Sequence, residues 1–149
     1  MEISKFKLVL EVDEKFKLTE TKIANPEIVY YLMRFVCKIN KEPEEVLYLL
    51  TFDSAQKVSG IFEVSRGTLN STVATPREIF KRAIVANADS IILVHNHPSG
   101  SLVPSQADMS LTTTLATAGE MLGIPLVDHL IIGLKDNFLS LKKEYPALF

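Results

Sequence analysis

The chain of 149 residues contains only one cysteine, Cys37. A single cysteine excludes an intramolecular disulfide and a multi-cysteine metal site, and it suits a reducing cytoplasm. Cys37 lies in the stretch PEIVYYLMRFVCKI, where apolar residues recur with helical periodicity. We therefore interpret it as a buried structural thiol, with a reactive thiol as the less favoured alternative.

Long uncharged segments are also absent. The first residues, MEISKFKLVLEVDEK, carry charges every few positions and lack the continuous apolar region of a signal peptide. No segment approaches the roughly 18 uncharged apolar residues that a membrane span requires. We expect a cytoplasmic protein with no membrane partner.

Neither sign of charge dominates the chain. The 16 Lys and Arg residues are opposed by 18 Asp and Glu residues, which leaves a net charge of -2. No global basic field is therefore available to hold a polyanion, although a local basic patch stays open. With 47% hydrophobic residues, 6 glycines and 7 prolines, the composition is typical of a soluble globular protein, and the length fits one domain.

An N-terminal strand is predicted over residues 5–17. Apolar and polar residues alternate there, and one face of the strand would carry Phe6, Leu8, Leu10 and Val12. We place this strand in an extension of residues 1–24 ahead of a core at residues 25–149. The two parts together are expected to make a single domain.

The core mixes helical and strand patterns. Helices are predicted within NPEIVYYLMRFVCKIN, TPREIFKRAIVANA and SQADMSLTTTLATAGEMLG, after the N-caps Asn25, Thr75 and Ser105. Glu78 follows Thr75 at the spacing of a capping box. Strands are predicted in EEVLYLLTFD, KVSGIFEVSRG, SIILVHNH and PLVDHLIIG, and around residues 138–141. The first two strands form a hairpin that turns at residues 53–56.

Two of the three histidines lie together in the stretch SIILVHNHPSGSLVPSQAD. Side chains alternate faces along a strand, so His95 and His97 project from the same side and Asn96 from the other. Two adjacent imidazoles can ligate one divalent metal, at roughly 2.0 to 2.1 Å for zinc. The alternative is two exposed loop histidines, because an H-x-H pattern arises easily by accident.

The second half of this stretch allows two interpretations. Ser105 and Asp108 have the spacing of a capping box, which would stabilise the start of the third helix by about 0.5 to 2 kcal/mol without any metal. The turn through Pro98 and Gly100 could also bring Asp108 back to the histidines as a third ligand. Two histidines and one carboxylate leave a tetrahedral position for water, which is typical of catalytic zinc sites.

The segment HNHPSGSLVPSQAD resembles the signature of JAMM/MPN metalloproteases, in which H-x-H-P is followed after a short loop by S-x-x-D. The segment VHNHPSG is similar to the corresponding sequence in the RadC branch of that family. The same holds for the flanking segments GTLNSTVATPREIFKRAIVANAD and LGIPLVDHLIIG. The resemblance covers the chain from Asn25 to its last residue. It implies the three-layer MPN/JAB fold, which is cytidine deaminase-like: an α/β fold of the α+β type whose mixed central sheet is flanked by helices.

The resemblance also implies the residues of the site. The metal ligands would be His95, His97 and Asp108, holding one zinc ion, although the same ligands also suit other divalent metals. Ser105 would help to polarise the scissile carbonyl group. The family's upstream glutamate matches the acid just before an apolar run, which selects Glu45; the weaker candidates are Glu44, Glu63 and Glu78.

The implied chemistry is hydrolysis of an amide, peptide or isopeptide bond. Zinc would lower the pKa of its water toward about 7, Glu45 would take the proton and return it to the leaving amine, and Ser105 would donate to the oxyanion. The substrate is an unidentified protein or peptide. Asn96 departs from the Ser or Thr of the eukaryotic deubiquitinating members, so their substrates are not carried over.

Four alternatives stay open beside this prediction. Asp128 or His129 could orient a ligating imidazole, and strand alternation lets only one of them face the site. The basic residues Arg66, Arg77, Lys81 and Arg82 raise nucleic-acid binding or metal-dependent nuclease action in DNA repair. The chain resembles a short form of the RadC branch, in which we expect no helix-hairpin-helix region ahead of the first strand; that region is the part most readily connected with DNA. The domain could instead be a noncatalytic interaction module, and exposed strand edges suggest a homodimer.

Overall fold

A mixed five-stranded sheet forms the centre of the protein. The computed structural model describes residues 1–17, 25–67 and 74–149. The strands are β1 (Val46–Phe52), β2 (Val58–Arg66), β3 (Ser90–Asn96), β4 (Leu126–Ile132) and β5 (Phe138–Ser140), in the spatial order β2-β1-β3-β4-β5. Only β3 and β4 pair in parallel; the other neighbours are antiparallel. The predicted fold class is confirmed.

The helices begin where their capping residues predict. The longer ones are α1 (Pro26–Val36), α2 (Pro76–Val85) and α3 (Gln106–Leu122), and a short α4 (Leu141–Glu144) follows β5. Asn25 Oδ1 accepts from the backbone N–H of Ile28 at 3.0 Å, which is the N-cap contact expected of this residue. The C-cap Gly123 has a φ of 69°, a conformation that glycine adopts without steric cost.

Both faces of the sheet are covered, so the fold has three layers. On one face, α1 packs against a cluster that includes Tyr48, Leu50 and Val94. On the other face, α2 and α3 pack against a cluster that includes Leu49 and Leu93. Even-numbered residues of β1 and β3 therefore point to the layer of α1, and odd-numbered residues point to the layer of α2 and α3. Every residue of these two strands is buried. This double burial explains why both strands are nearly uninterrupted apolar runs.

The hairpin between β1 and β2 turns where it was predicted. Asp53 Oδ1 accepts from the backbone N–H groups of Ala55 and Lys57, each at 2.9 Å, and so closes the turn with its own side chain. Gln56 takes a left-handed φ of 61° in this turn. The antiparallel register runs from Val46 opposite Arg66 to Phe52 opposite Val58.

The predicted N-terminal strand is not formed. Residues 1–17 contain no strand, and their side chains are exposed, including Phe6 at 87%. Alternation alone makes a segment amphipathic, but a strand also needs a neighbouring edge to complete its hydrogen bonds. Within the described residues, this segment does not join the sheet. The rest of the predicted extension, residues 18–24, lies outside the described residues.

Two further expectations need correction. The helix α1 ends at Val36, because Lys38 turns to a left-handed φ of 51° and a separate 3-10 turn follows at Ile39–Lys41. Phe35, near the end of this apolar stretch, is 73% exposed. At α2, Thr75 does accept from the backbone N–H of Glu78, but the Glu78 carboxylate pairs with Lys81 and Arg82 instead of returning to the cap.

Cys37 follows α1 and is partly buried against the cluster that α1 forms with the sheet. Burial, together with the nearby charge of Glu63, raises the pKa of its thiol to about 11. A thiol with such a pKa is almost wholly protonated near neutral pH, which fits a structural residue.

In the described parts of the chain, no helix combines the length and the apolar character needed to cross a membrane.

Candidate metal centre

The two histidines lie at the carboxyl end of β3, on the side of the sheet that α3 covers. Leu93, two residues before His95, packs into the cluster of α2 and α3, and alternation places His95 on that same side. His95 is fully buried, whereas the side chain of His97 is 14% exposed. The pair therefore has one imidazole inside the protein and one at its surface, which contradicts two freely exposed loop histidines.

Four side chains converge on one space beside this strand end. Glu45, His95, His97 and Asp108 each offer a donor atom, and these atoms all lie within 4.8 Å of one another. His95 Nε2 is 3.0 Å from His97 Nε2 and 3.2 Å from Asp108 Oδ1. His97 Nε2 is 3.3 Å from Asp108 Oδ2, and Glu45 Oε1 is 3.8 Å from His95 Nε2.

The turn after β3 orients His97. Its Nδ1 atom lies 2.8 Å from the backbone oxygen of Ser101. A carbonyl oxygen only accepts, so Nδ1 carries the hydrogen and Nε2 keeps its lone pair, which faces the other three donor groups. Gly100, at a φ of 81°, allows the tight return of this turn toward the histidine.

Asp108 caps a helix and faces the histidines at the same time. The Ser105 hydroxyl oxygen accepts from the Asp108 backbone N–H at 3.1 Å, and the Ser105 backbone N–H donates to Asp108 Oδ2 at 2.7 Å. This reciprocal pair is a complete capping box. Both interpretations of the S-x-x-D spacing therefore hold together, because capping fixes the carboxylate in the orientation that faces the imidazoles.

The charges of the site are strongly coupled. Burial alone would raise the pKa of Asp108, but contacts with His95 and His97 outweigh burial and hold this pKa well below its usual range. The neighbouring Asp108 carboxylate favours the protonated form of His97 and so raises the pKa of His97. Asp108 is thus a carboxylate at neutral pH, buried to 2% exposure and facing two imidazoles.

This donor set fits a divalent metal ion. Two imidazole nitrogens and a carboxylate are the ligands of many catalytic zinc sites, and the same atoms also suit other first-row metals. The His97 lone pair and the Asp108 carboxylate face each other at 3.3 Å, and a cation between them would remove the repulsion between these acceptors. Glu45 lies at the edge of the set, with its side chain 24% exposed.

Asn96 was not singled out as a site residue from the sequence, yet it holds the segment that carries Glu45. It points to the side of the sheet opposite to His95, where its Oδ1 accepts from the Val46 backbone N–H at 2.7 Å. Its Nδ2 donates to the Glu44 backbone oxygen at 2.9 Å. One amide therefore fastens the backbone on both sides of Glu45. The sequence signal for such a role is a polar residue between the two histidines, directly after an apolar run.

The other acids considered beside Glu45 lie outside the cluster. Glu44 is exposed. Glu63 pairs with Arg66, whose guanidinium lowers the pKa of Glu63, and Glu78 pairs with two basic residues of α2. Salt bridges account for Glu63 and Glu78 without a catalytic role.

His129 and Asp128 point to opposite sides of β4, as strand alternation requires. His129 is fully buried, and its Nε2 lies 2.8 Å from His95 Nδ1. Burial and the neighbouring His95 depress the pKa of His129 well below its usual value, so it stays neutral. Asp128 instead accepts from the Ser140 hydroxyl at 2.7 Å, on the far side of the strand. Of the two, only His129 contacts a residue of the cluster.

The basic residues that suggested nucleic-acid binding are largely paired. Arg66 contacts Glu42 and Glu63, while Lys81 and Arg82 both contact Glu78. Arg77 is exposed. Because acids neutralise most of this basic group, the nucleic-acid alternative gains no support from it and stays a prediction.

Comparison with known proteins gives a consistent answer over most of the chain. Residues 23–145 match the family model described as RadC-like JAB domain. The chain is 43% identical to a UPF0758 protein of Clostridium perfringens strain 13 over 137 residues, which cover 90% of this chain and 59% of that protein. It is 41% identical to a UPF0758 protein of Moorella thermoacetica over 144 residues, 95% of this chain and 62% of the relative. The archaeon Methanosarcina mazei has a UPF0758 protein that is 37% identical over 139 residues, 93% of this chain and 59% of that relative.

The chain spans about 60% of the length of these curated relatives. The matched part includes all four residues of the cluster, since residues 23–145 contain Glu45, His95, His97 and Asp108.

Proposed function

The chain belongs to the RadC-like JAB domain family, and from this premise we propose that it is a zinc-dependent hydrolase of the JAMM metalloprotease type. The bond cleaved is an amide, peptide or isopeptide bond in a protein or peptide substrate. We also propose a cytoplasmic location, which agrees with the single cysteine.

The convergence of Glu45, His95, His97 and Asp108 carries this proposal. Three of these residues would supply the two imidazoles and the carboxylate that hold a metal ion, and the exposed edge of His97 leaves an approach from solvent. A divalent ion at such a site would act as a Lewis acid and would lower the pKa of coordinated water to about 7. A noncatalytic interaction module would have no need of these four groups in one place.

Glu45 is the general base in this proposal. Its carboxylate lies at the open edge of the cluster, 3.8 Å from His95 Nε2, so it can accept a proton from water there and return it to the leaving amine. The two hydrogen bonds between the Asn96 amide and the backbone of Val46 and Glu44 keep Glu45 in place during this transfer.

Ser105 is the oxyanion donor in this proposal. Its hydroxyl oxygen already accepts from the Asp108 backbone N–H, so its own hydrogen remains available for another acceptor. Ser105 is exposed at the start of α3, where a substrate carbonyl group can approach it. Removal of such a donor elsewhere costs roughly 3 to 4 kcal/mol of transition-state stabilisation.

Metal content tests the ligand assignment. Elemental analysis of the wild-type protein after zinc loading should give about one equivalent, as expected of a mononuclear site. The double variant His95→Ala, His97→Ala should lose this equivalent. Glu78→Gln is the matched control, because that acid lies outside the cluster and should leave the metal content unchanged. Full zinc retention in the double variant would refute the assignment.

Hydrolysis tests the role of Glu45. A library of short fluorogenic peptides and isopeptide-linked peptides should contain substrates that the zinc-loaded wild type cleaves. Glu45→Gln should abolish cleavage while retaining zinc, because Glu45 acts on water and is not required as a ligand. Unchanged cleavage by this variant would show that the base is another residue.

A further inference from the structure

A chain of three buried hydrogen bonds connects α3 to His95 through β4. The Thr112 hydroxyl lies 2.7 Å from the backbone oxygen of Asp108 and 2.7 Å from His129 Nδ1. His129 Nε2 in turn lies 2.8 Å from His95 Nδ1. Thr112, His129 and His95 are all 0% exposed, so solvent water has no access to these links.

The direction of every bond in this chain follows from its first member. The backbone oxygen of Asp108 can only accept, so the hydrogen between it and Thr112 belongs to the hydroxyl. With its one hydrogen used, the hydroxyl oxygen must accept from His129 Nδ1–H. A neutral imidazole with its hydrogen on Nδ1 has a lone pair on Nε2, and this lone pair accepts from His95 Nδ1–H.

The last step determines what His95 presents to the cluster. With its hydrogen on Nδ1, neutral His95 keeps a lone pair on Nε2, the atom that lies 3.2 Å from Asp108 Oδ1. In the reversed arrangement, the hydrogen would sit on His95 Nε2, where the Asp108 carboxylate would accept it and where it would block a metal. Asp108 therefore favours the wrong tautomer when no cation is bound, and the buried chain opposes it.

We propose that Thr112 is a positioning residue that sets the tautomer of His95 through His129, so that Nε2 of His95 is presented unprotonated to the metal. The inference rests on the proposed metal site and extends it to a residue that touches no metal. Thr112 lies one helical turn after Asp108, so α3 carries both a ligand and the group that orients a second ligand on β3. Such outer contacts orient ligating histidines in other metal sites.

The chain offers matched variants for a test. Thr112→Val keeps the shape of the side chain but removes the hydroxyl, and Thr112→Ser restores the hydroxyl alone. Thr117→Val is the control, because Thr117 also donates its hydroxyl to a carbonyl oxygen one turn back, that of Thr113 at 3.0 Å, but it is exposed and contacts no histidine. All four proteins are first compared by thermal unfolding to establish that they fold.

Ring nitrogen NMR of the metal-free protein reads the tautomer directly. Spectra are recorded at alkaline pH, so that the neutral tautomers are observed. Wild type, Thr112→Ser and Thr117→Val should carry hydrogen on Nδ1 of both His95 and His129. Thr112→Val should shift both rings toward hydrogen on Nε2, because the acceptor that holds His129 Nδ1–H is gone.

Zinc affinity, measured by competition with a chelating dye, is the second readout. Thr112→Val should bind zinc about 10- to 100-fold more weakly than wild type, as is typical when an outer contact of a ligating histidine is lost. Thr112→Ser and Thr117→Val should bind within a few-fold of wild type. Weaker binding with unchanged tautomers would reduce Thr112 to a packing role and overturn the proposal.

The design keeps this inference separate from the proposed function. Hydrogen on His95 Nε2 in the metal-free wild type would overturn the inference at once, even if Thr112→Val failed to fold. A wild type that shows the expected tautomers but binds no zinc would refute the metal site, and with it the purpose assigned to Thr112. Wild-type tautomers and wild-type affinity in Thr112→Val would also overturn the inference.

Discussion

Replacing Asn96 with alanine should destabilise the protein without removing its metal. The substitution deletes the amide that accepts from the Val46 backbone N–H at 2.7 Å and donates to the Glu44 backbone oxygen at 2.9 Å. No atom of Asn96 belongs to the four-residue cluster. The loss should therefore fall on the segment that carries Glu45 and leave the ligands in place.

The size of the effect follows from burial. Asn96 is 3% exposed and Val46 is fully buried, so water cannot readily replace the lost partner of the Val46 backbone N–H. Leaving a buried donor or acceptor without its hydrogen bond costs about 1 to 3 kcal/mol. That cost at Val46, added to about 0.5 to 1.5 kcal/mol for the less buried bond to Glu44, predicts a loss of about 1.5 to 4.5 kcal/mol in the free energy of unfolding. Asn25→Ala is the matched control, because Asn25 makes one exposed cap contact and should cost only about 0.5 to 2 kcal/mol.

Urea unfolding of the zinc-free proteins measures both losses, and elemental analysis after zinc loading measures the metal. We expect a clearly larger loss for Asn96→Ala than for Asn25→Ala, with the zinc content equal to that of the wild type. If Asn96→Ala were no more destabilised than its control, the amide would not be holding the strand start. If Asn96→Ala lost its zinc, the claim that Asn96 supports the segment of Glu45 but not the metal ligands would be wrong.

Two further predictions concern pH and packing. Contact with Asp108 raises the pKa of His97 in the folded state. The protonated imidazole therefore stabilises the folded state fully below the unfolded pKa of about 6.5, and this stabilisation disappears as the pH rises through the folded pKa. The metal-free protein should thus lose stability above about pH 6.5 in urea unfolding, and His97→Gln should weaken this dependence; an unchanged slope would contradict it. Gly119→Ala should lower the free energy of unfolding by about 1 to 3 kcal/mol, because its added Cβ would lie 2.6 Å from the Ile124 backbone oxygen. An unchanged urea midpoint would show that α3 can move away from this backbone.

Local signals predicted much of the fold. Asn25, Thr75 and Ser105 each cap the helix that follows them, and Gly123 ends α3. Such contacts join residues within one turn, so a short stretch of sequence contains both partners. The prediction of an N-terminal strand, which depended on a distant pairing partner, failed. Residues 5–17 alternate like a strand, but no neighbouring edge within the described residues receives them.

The H-x-H and S-x-x-D spacings, with the family resemblance, selected the four residues that the structure brings together. The choice between Asp128 and His129 could not be made from the sequence, because alternation says that they face opposite sides but does not say which side is which. That choice depends on the parallel pairing of β4 with β3, which places His129 opposite Leu93 and its ring beside His95.

The sequence by itself determined the helices and strands of the core and the groups of the H-x-H and S-x-x-D spacings, because caps, turns and ligand spacings act over a few residues. Only the tertiary structure decided how those groups are held. Asn96 reaches a backbone 50 residues away, and His95 reaches a histidine 34 residues away. Hydrogen bonds depend on distance and direction to within a fraction of an ångström and some tens of degrees. That accuracy arises only when the sheet register and the position of α3 are set together.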